Sequence, residues 1–269
     1  MLSFQRFVII SILVLSAAAV AAEQNYSDLK VDQESIVEIK ELHPTQFNIG
    51  VDEMKEKKDE LGKMSPEELN TFLKANPCPV VIGPDGVPYI TDNQHRANAA
   101  FQVQNSHRAA TALGESGQPT MYMKVVANYS GRKPPMTQAE FEEVMTNSKE
   151  PLAYLHDKGK LRSFDQLPKH VWDMTDDPYR SLAGFLKKRA WKVENEYFEQ
   201  FYVAEWLRTE LKLSDKEVSK KLKKKHRDKF LEEVTEYMQT HAEGQSWYLS
   251  PEDCMKAKLK AIAKLNGKK

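Results

Sequence analysis

Asp92, His95 and Arg96 put a carboxylate, an imidazole and a guanidinium within five consecutive positions, in the stretch Thr91-Asp92-Asn93-Gln94-His95-Arg96-Ala97. Each group has its own chemical use. An imidazole titrates near neutral pH and serves as a general acid or base. A guanidinium holds a phosphate through charge-assisted hydrogen bonds. A carboxylate beside a histidine orients the ring or binds a divalent ion. The sequence therefore carries the parts of a phosphate site, with His95 and Asp92 as catalytic candidates and Asn93, Gln94 and Arg96 as ligand contacts. Glu41 is the candidate for a second carboxylate on the opposite wall. No cofactor is specified beyond a divalent metal ion. The spacing of His43, His95 and His107 demands no metal site.

The neighbouring elements decide whether these groups can meet a ligand. Pro79-Val80-Val81-Ile82 and Val87-Pro88-Tyr89-Ile90 are apolar runs flanking Gly83-Pro84-Asp85-Gly86. That pattern predicts a β-hairpin. An alanine-rich run from Ala97 to Ala110 follows and predicts a helix. The polar cluster then falls where a strand hands over to a helix. The first amides of a helix lack partners and its dipole end is positive, so the place suits an anion. The same residues also fit a second reading, in which Asp92 or Asn93 only caps the helix and Arg96 lies on the surface.

The cluster resembles the signature of the ParB/sulfiredoxin superfamily. Sulfiredoxins carry a Gly-Gly-Cys-His-Arg run here, ParB proteins a Gly-Glu-Arg-Arg run, and the related free-serine kinases an Asp-Gly-His-His-Arg run. Further blocks are similar to those of the ParB-like nuclease family. They are Leu42-His43-Pro44-Thr45-Gln46 with Ile49-Gly50, Met54 and Lys57, then Pro79-Val80-Val81, and then Asp176-Asp177-Pro178-Tyr179-Arg180-Ser181-Leu182. The likeness runs from about residue 41 to about residue 208. It implies a small α+β domain and a segment that binds nucleotide phosphates. It also implies that Thr45, Gln46, Lys57, Tyr179 and Arg180 face the ligand. Gln94 stands where sulfiredoxin needs its cysteine, so no thiolate can form there and sulfinic-acid reduction is excluded. Asn93 replaces a glycine, and asparagine tolerates the left-handed conformation better than most residues.

Residues 1–22 have the pattern of a secretory leader: Arg6, an apolar run from Phe7 to Leu15, and Val20-Ala21-Ala22 before the cleavage point. The expectation is an exported chain, periplasmic or secreted, with no transmembrane span once mature. The 269 residues carry 39 basic and 39 acidic side chains. Such a balance gives no global argument for nucleic-acid binding. Cys78 and Cys254 are the only cysteines. An even pair in an exported chain suggests a disulfide between them, and two buried free thiols are the alternative. Asn25 and Asn128 match the glycosylation pattern, which matters only in a eukaryotic source.

The expected architecture is α+β over residues 36–131, followed by a mostly helical region over residues 132–269. Ser65-Pro66-Glu67-Glu68 predicts a capped helix running to about Ala75. Strands are expected at Ile36–Leu42 and Thr120–Ala127. In the second half, helices are expected to start at Thr137, Asp177 and Glu194. Another is expected from Ser214 to Met238, and a last one from Pro251 to Leu265. The basic block Lys220–Lys229 fits a solvated helix face, and the Phe198/Phe201/Tyr202/Trp206 stripe fits a core. Two functions follow as alternatives. One is an exported protein that binds a nucleotide or nucleic acid and acts as a hydrolase or phosphotransferase. The other is a non-catalytic binding or protein-interaction module.

Overall fold

The computed structural model describes residues 26–106, 117–147, 151–187, 189–192 and 198–245. The expected leader, His107, Cys254 and the predicted last helix lie outside these residues. Among them the order begins β1 (Glu34–Glu38), β2 (His43–Pro44), β3 (Asn48–Ile49), α1 (Val51–Leu61), α2 (Pro66–Ala75), β4 (Cys78–Ile82), β5 (Pro88–Ile90), α3 (Gln94–Ser106) and β6 (Thr120–Asn128). The main sheet runs β1-β6-β4-β5-β2. β6 lies antiparallel to β1 and parallel to β4, and β4 and β5 form the predicted hairpin.

Local signals account for most of these boundaries. Ser65 accepts from the Glu68 amide while Glu68 accepts from the Ser65 amide, and Pro66 occupies the first turn. This reciprocal cap starts α2 where the sequence predicts. At the hairpin turn Gly86 has φ 81°, which glycine adopts without steric cost. Strand β1 ends at Glu38, short of the predicted Leu42, because Ile39–Glu41 close into a 3-10 turn. Apolar side chains from the sheet and from α1–α3 make the first core, with Leu69, Leu73, Val80, Ile90, Met121 and Val125 fully buried.

The second half is mostly helical: α4 (Gln138–Asn147), α5 (Pro178–Leu186), α6 (Glu199–Leu211), α7 (Asp215–Lys221) and α8 (Lys224–His241). Residues 151–177 depart from the helical expectation. They form a short hairpin, β7 (His156–Asp157) and β8 (Lys160–Leu161), and then β9 (Thr175–Asp176), which pairs in parallel with β3. The single helix expected from Ser214 to Met238 is two helices. The chain leaves helical geometry at Lys223, with ψ 137°. The break lets Val218 and Leu222 of α7 and Phe230, Leu231 and Val234 of α8 enter one core with Leu182, Leu186 and Leu207.

Packing joins the two halves. Met136, Phe141 and Met145 bury against Val81 and Tyr89 of the hairpin. Asp176 accepts from the Val51 amide at the start of α1. Asp177 caps its own helix, accepting from the Tyr179 amide. Its carboxylate also meets Arg208 at 2.6 Å, and Arg208 reaches on to Asp215 at 2.7 Å. Cys78 has no exposed surface, and Cys254, its expected partner, lies outside the described residues. Burial pushes the Cys78 thiol up to about 12. The side-chain amide of Asn128 donates to the carbonyls of Ser27 and Leu29, so it is engaged in the fold rather than displayed for a glycan. No described helix is long and apolar enough to cross a membrane.

Candidate functional site

A cleft of about 700 Å³ lies at the start of α3. Thr91, Asp92, Gln94 and His95 form one wall, Gln46 and Pro79 the adjoining edge, and Arg180, Lys187 and Trp191 another part of the lining. The start of α6 closes it with Phe198, Glu199, Gln200 and Phe201.

Helix α3 begins as the sequence predicts. Asn93 takes φ 67°, and the first intrahelical bond runs from the Ala97 amide to the Asn93 carbonyl at 2.9 Å. The amides of Gln94, His95 and Arg96 form no hydrogen bond among the described residues. A helix start with open amides attracts negative charge. Asp92 is spent locally, accepting from the Asn93 amide at 2.6 Å. No hydrogen bond joins it to His95 among the described residues, so its expected role in orienting that ring is corrected. Gln94 is buried and donates to the Ile90 carbonyl at 2.9 Å and to Thr45 Oγ1 at 3.3 Å. Thr45 in turn donates to Ile90. Thr45 therefore supports Gln94 from beneath, and Gln94 lines the cleft.

His95 lines the cleft, but in a form that corrects the acid/base expectation. Its Nε2 accepts from the Gly50 amide at 2.9 Å and lies 3.6 Å from Glu53 Oε2. Burial pushes its pKa down to about 4, and Arg180 and Lys57 act in the same direction against Glu53. A ring accepting at Nε2 carries its proton on Nδ1 and is neutral at pH 7.

Several expected contacts lie elsewhere. Arg96 points away from the cleft, donates to the Asn76 carbonyl at the end of α2 at 3.0 Å, and sits over Phe72. It is drawn there because the last carbonyls of a helix lack partners. Glu41 bonds the Tyr26 hydroxyl and is not on the opposite wall. Lys57 lies outside the cleft lining on α1, 3.6 Å from Glu53. Tyr179 is fully buried and exchanges hydrogen bonds with the backbone of Leu213. Among the described residues no group of three His, Cys, Asp or Glu side chains is placed to hold a metal ion.

Arg180 is in the cleft, as the resemblance implies. Only 3% of its surface is exposed. Its guanidinium lies 3.4 Å from the Phe201 ring centroid. Nη1 donates to the Asn48 carbonyl at 3.3 Å and Nη2 to Gln200 Oε1 at 3.4 Å. The buried Nε has no partner, and no carboxylate pairs with Arg180 among the described residues. Burial pulls its pKa down to about 10, still well above neutrality, while Glu53 and Asp177 oppose the shift. A buried cation with an unpartnered donor has the chemistry to attract an anion. Burial also pushes the Glu53 carboxyl up, but His95 first, and then Lys57, Gln200 and Arg180, bring it below its ordinary value. Glu53, Gln200, Lys187 and Trp191 were not anticipated from the sequence. They sit on separate elements, and only folding brings them together. Phe198 and Phe201 were visible as an aromatic stripe, yet they line the cleft besides packing.

The family model described as "Putative ParB-like nuclease" matches residues 35–209. Among solved structures, protein Atu1540 from Agrobacterium tumefaciens is similar, with a TM-score of 0.61 and 25% sequence identity. The likeness covers 81% of this chain and 98% of that one. No curated protein matches the chain. The matched residues include the start of α3, Arg180 and the start of α6.

Proposed function

Because the chain belongs to the ParB-like nuclease family, we propose that it binds a phosphate-bearing ligand, a nucleotide or a nucleic acid, in the cleft beside Arg180. One observation carries this reading. The buried guanidinium of Arg180, with its unbonded Nε, shares a cleft with the open amides that begin α3. A phosphate there would satisfy donors that the protein leaves unmet, at a water-poor position where charge-assisted bonds are strong. Hydrolysis of a phosphodiester is the chemistry the family description suggests. Export, with the ligand met in the periplasm or medium, belongs to the same reading and is supported by the leader pattern of residues 1–22.

The state of His95 favours a second reading, binding without turnover. A neutral ring with Nε2 already engaged holds the α3 start to Gly50 rather than standing ready as an acid. Calorimetric titration with nucleotides and short DNA, alongside a hydrolysis assay with divalent ions, separates the two. Arg180→Met should weaken binding by about 10- to 150-fold, the loss of ~1.5–3 kcal/mol expected for hydrogen bonds to a charged group. An Arg180→Met protein that binds every such ligand like the parent sinks the phosphate reading. Product formation that is lost in His95→Asn would sink the non-catalytic one.

A further inference from the structure

We propose that Gln200 is a positioning residue that keeps the charge of Arg180 uncompensated, by standing between that guanidinium and the Glu53 carboxylate. The inference rests on the phosphate reading of the cleft. Three distances define the arrangement. Gln200 Nε2 donates to Glu53 Oε2 at 2.7 Å and to the Arg180 carbonyl at 3.0 Å. Gln200 Oε1 accepts from Arg180 Nη2 at 3.4 Å. The amide therefore presents its hydrogens to the anion and its oxygen to the cation, so Arg180 is met by a neutral dipole instead of by Glu53, whose carboxylate has Lys57 as its charged neighbour.

Without that amide, attraction alone would draw the two charges together. Arginine and carboxylate pair through two parallel bonds when they can, and such a pair occupies the guanidinium edge a phosphate would need. Glu53 has room to be this close because Gly184 carries no side chain. A Cβ there would collide with Glu53 Oε2 and lie 2.8 Å from Gln200 Nε2. Gln200 sits in the first turn of α6, beside Phe201, which covers one face of the guanidinium. The spacer and the cover thus arrive on the same helix. With Nη1 on the Asn48 carbonyl and Nη2 on Gln200, the buried Nε is left without a partner.

The test uses the full mature chain and titration with inorganic phosphate and inorganic sulfate. In the charge-swap variant Glu53→Gln/Gln200→Glu the net charge is that of the parent, but the carboxylate now lies against Arg180. It should bind either anion at least tenfold more weakly than the parent. Gln200→Met should also lose binding, and Glu53→Gln/Gln200→Met should regain it, because the carboxylate held off by the spacer is gone. This second pair decides the matter if the swap variant melts out. Parent-like binding by the swap variant, or equal losses in Gln200→Met and its double variant, overturns the spacer role. Arg180→Met serves as the separate control. If it binds both anions like the parent, the phosphate reading itself fails, and the spacer role fails with it.

Discussion

Gly50→Ala should be among the more damaging small substitutions in this chain, and the reason is space rather than backbone freedom. Gly50 has φ −79° and ψ 101°, angles that alanine adopts without strain. A Cβ at that position would lie 2.5 Å from the Ser181 nitrogen, 2.8 Å from its Cα and 2.7 Å from its Oγ. Ordinary contact needs ~3.5 Å or more, so the start of α1 and the start of α5 must move apart by roughly 0.7–1 Å. Overpacking of this kind costs about 1–3 kcal/mol. The shift also strains the bond from the Gly50 amide to His95 and those from the Asp52 and Glu53 amides to Ser181 Oγ. Losing one such buried bond adds about 0.5–1.5 kcal/mol. The expected loss is therefore about 2–4 kcal/mol, a drop in Tm of roughly 4–16 °C for a chain of this size. Urea unfolding followed by circular dichroism measures it, with the slope unchanged if only the native state is affected. Gly50→Ala/Ser181→Gly removes the hydroxyl but leaves the backbone N and Cα in place, so it should recover less than half. A Gly50→Ala protein within ~0.5 kcal/mol of the parent would refute the packing argument.

Stability should fall on acidification through His95. Its folded pKa of about 4 lies below the ordinary histidine value, so the unfolded chain takes up the proton first. The penalty is absent above pH ~6.5, grows as the pH falls toward about 4, and reaches about 3 kcal/mol there. Urea melts across that range should show a steeper decline in the parent than in His95→Asn, and parallel curves would contradict the neutral buried ring. Arg96→Ala should leave phosphate affinity unchanged while costing about 1 kcal/mol, since it removes the bond to the Asn76 carbonyl. A loss of affinity matching that of Arg180→Met would show that Arg96 reaches the ligand. Exported protein should begin at Glu23, after removal of residues 1–22, and N-terminal sequencing that finds Met1 retained would count against the leader.

Features set by neighbours in the chain were legible in the sequence. The capped start of α2, the β4–β5 hairpin, the left-handed Asn93 and the open amides of α3 follow from residues a few positions apart. Short-range sterics and capping chemistry fix these, whatever the rest of the chain does. The longer match to a family pattern also implied that Arg180 faces the cleft, and it lines the cleft in the structure. Which of the two arginines lines the cleft was not legible locally. Arg96 sits in the most reactive-looking segment, yet α2 ends beside it and takes its side chain. Arg180 lies 84 positions away and acquires its role only when Asn48, Phe201 and Gln200 close around it. The His95 ring was expected to titrate near neutrality. The Gly50 amide and burial among α1, α3 and α5 make it a neutral acceptor instead. Sequence determines which groups are available and how the backbone presents them over one or two turns. Desolvation, the pairing of charges and the direction in which a long side chain points depend on elements far apart in the chain, so tertiary structure alone decided them.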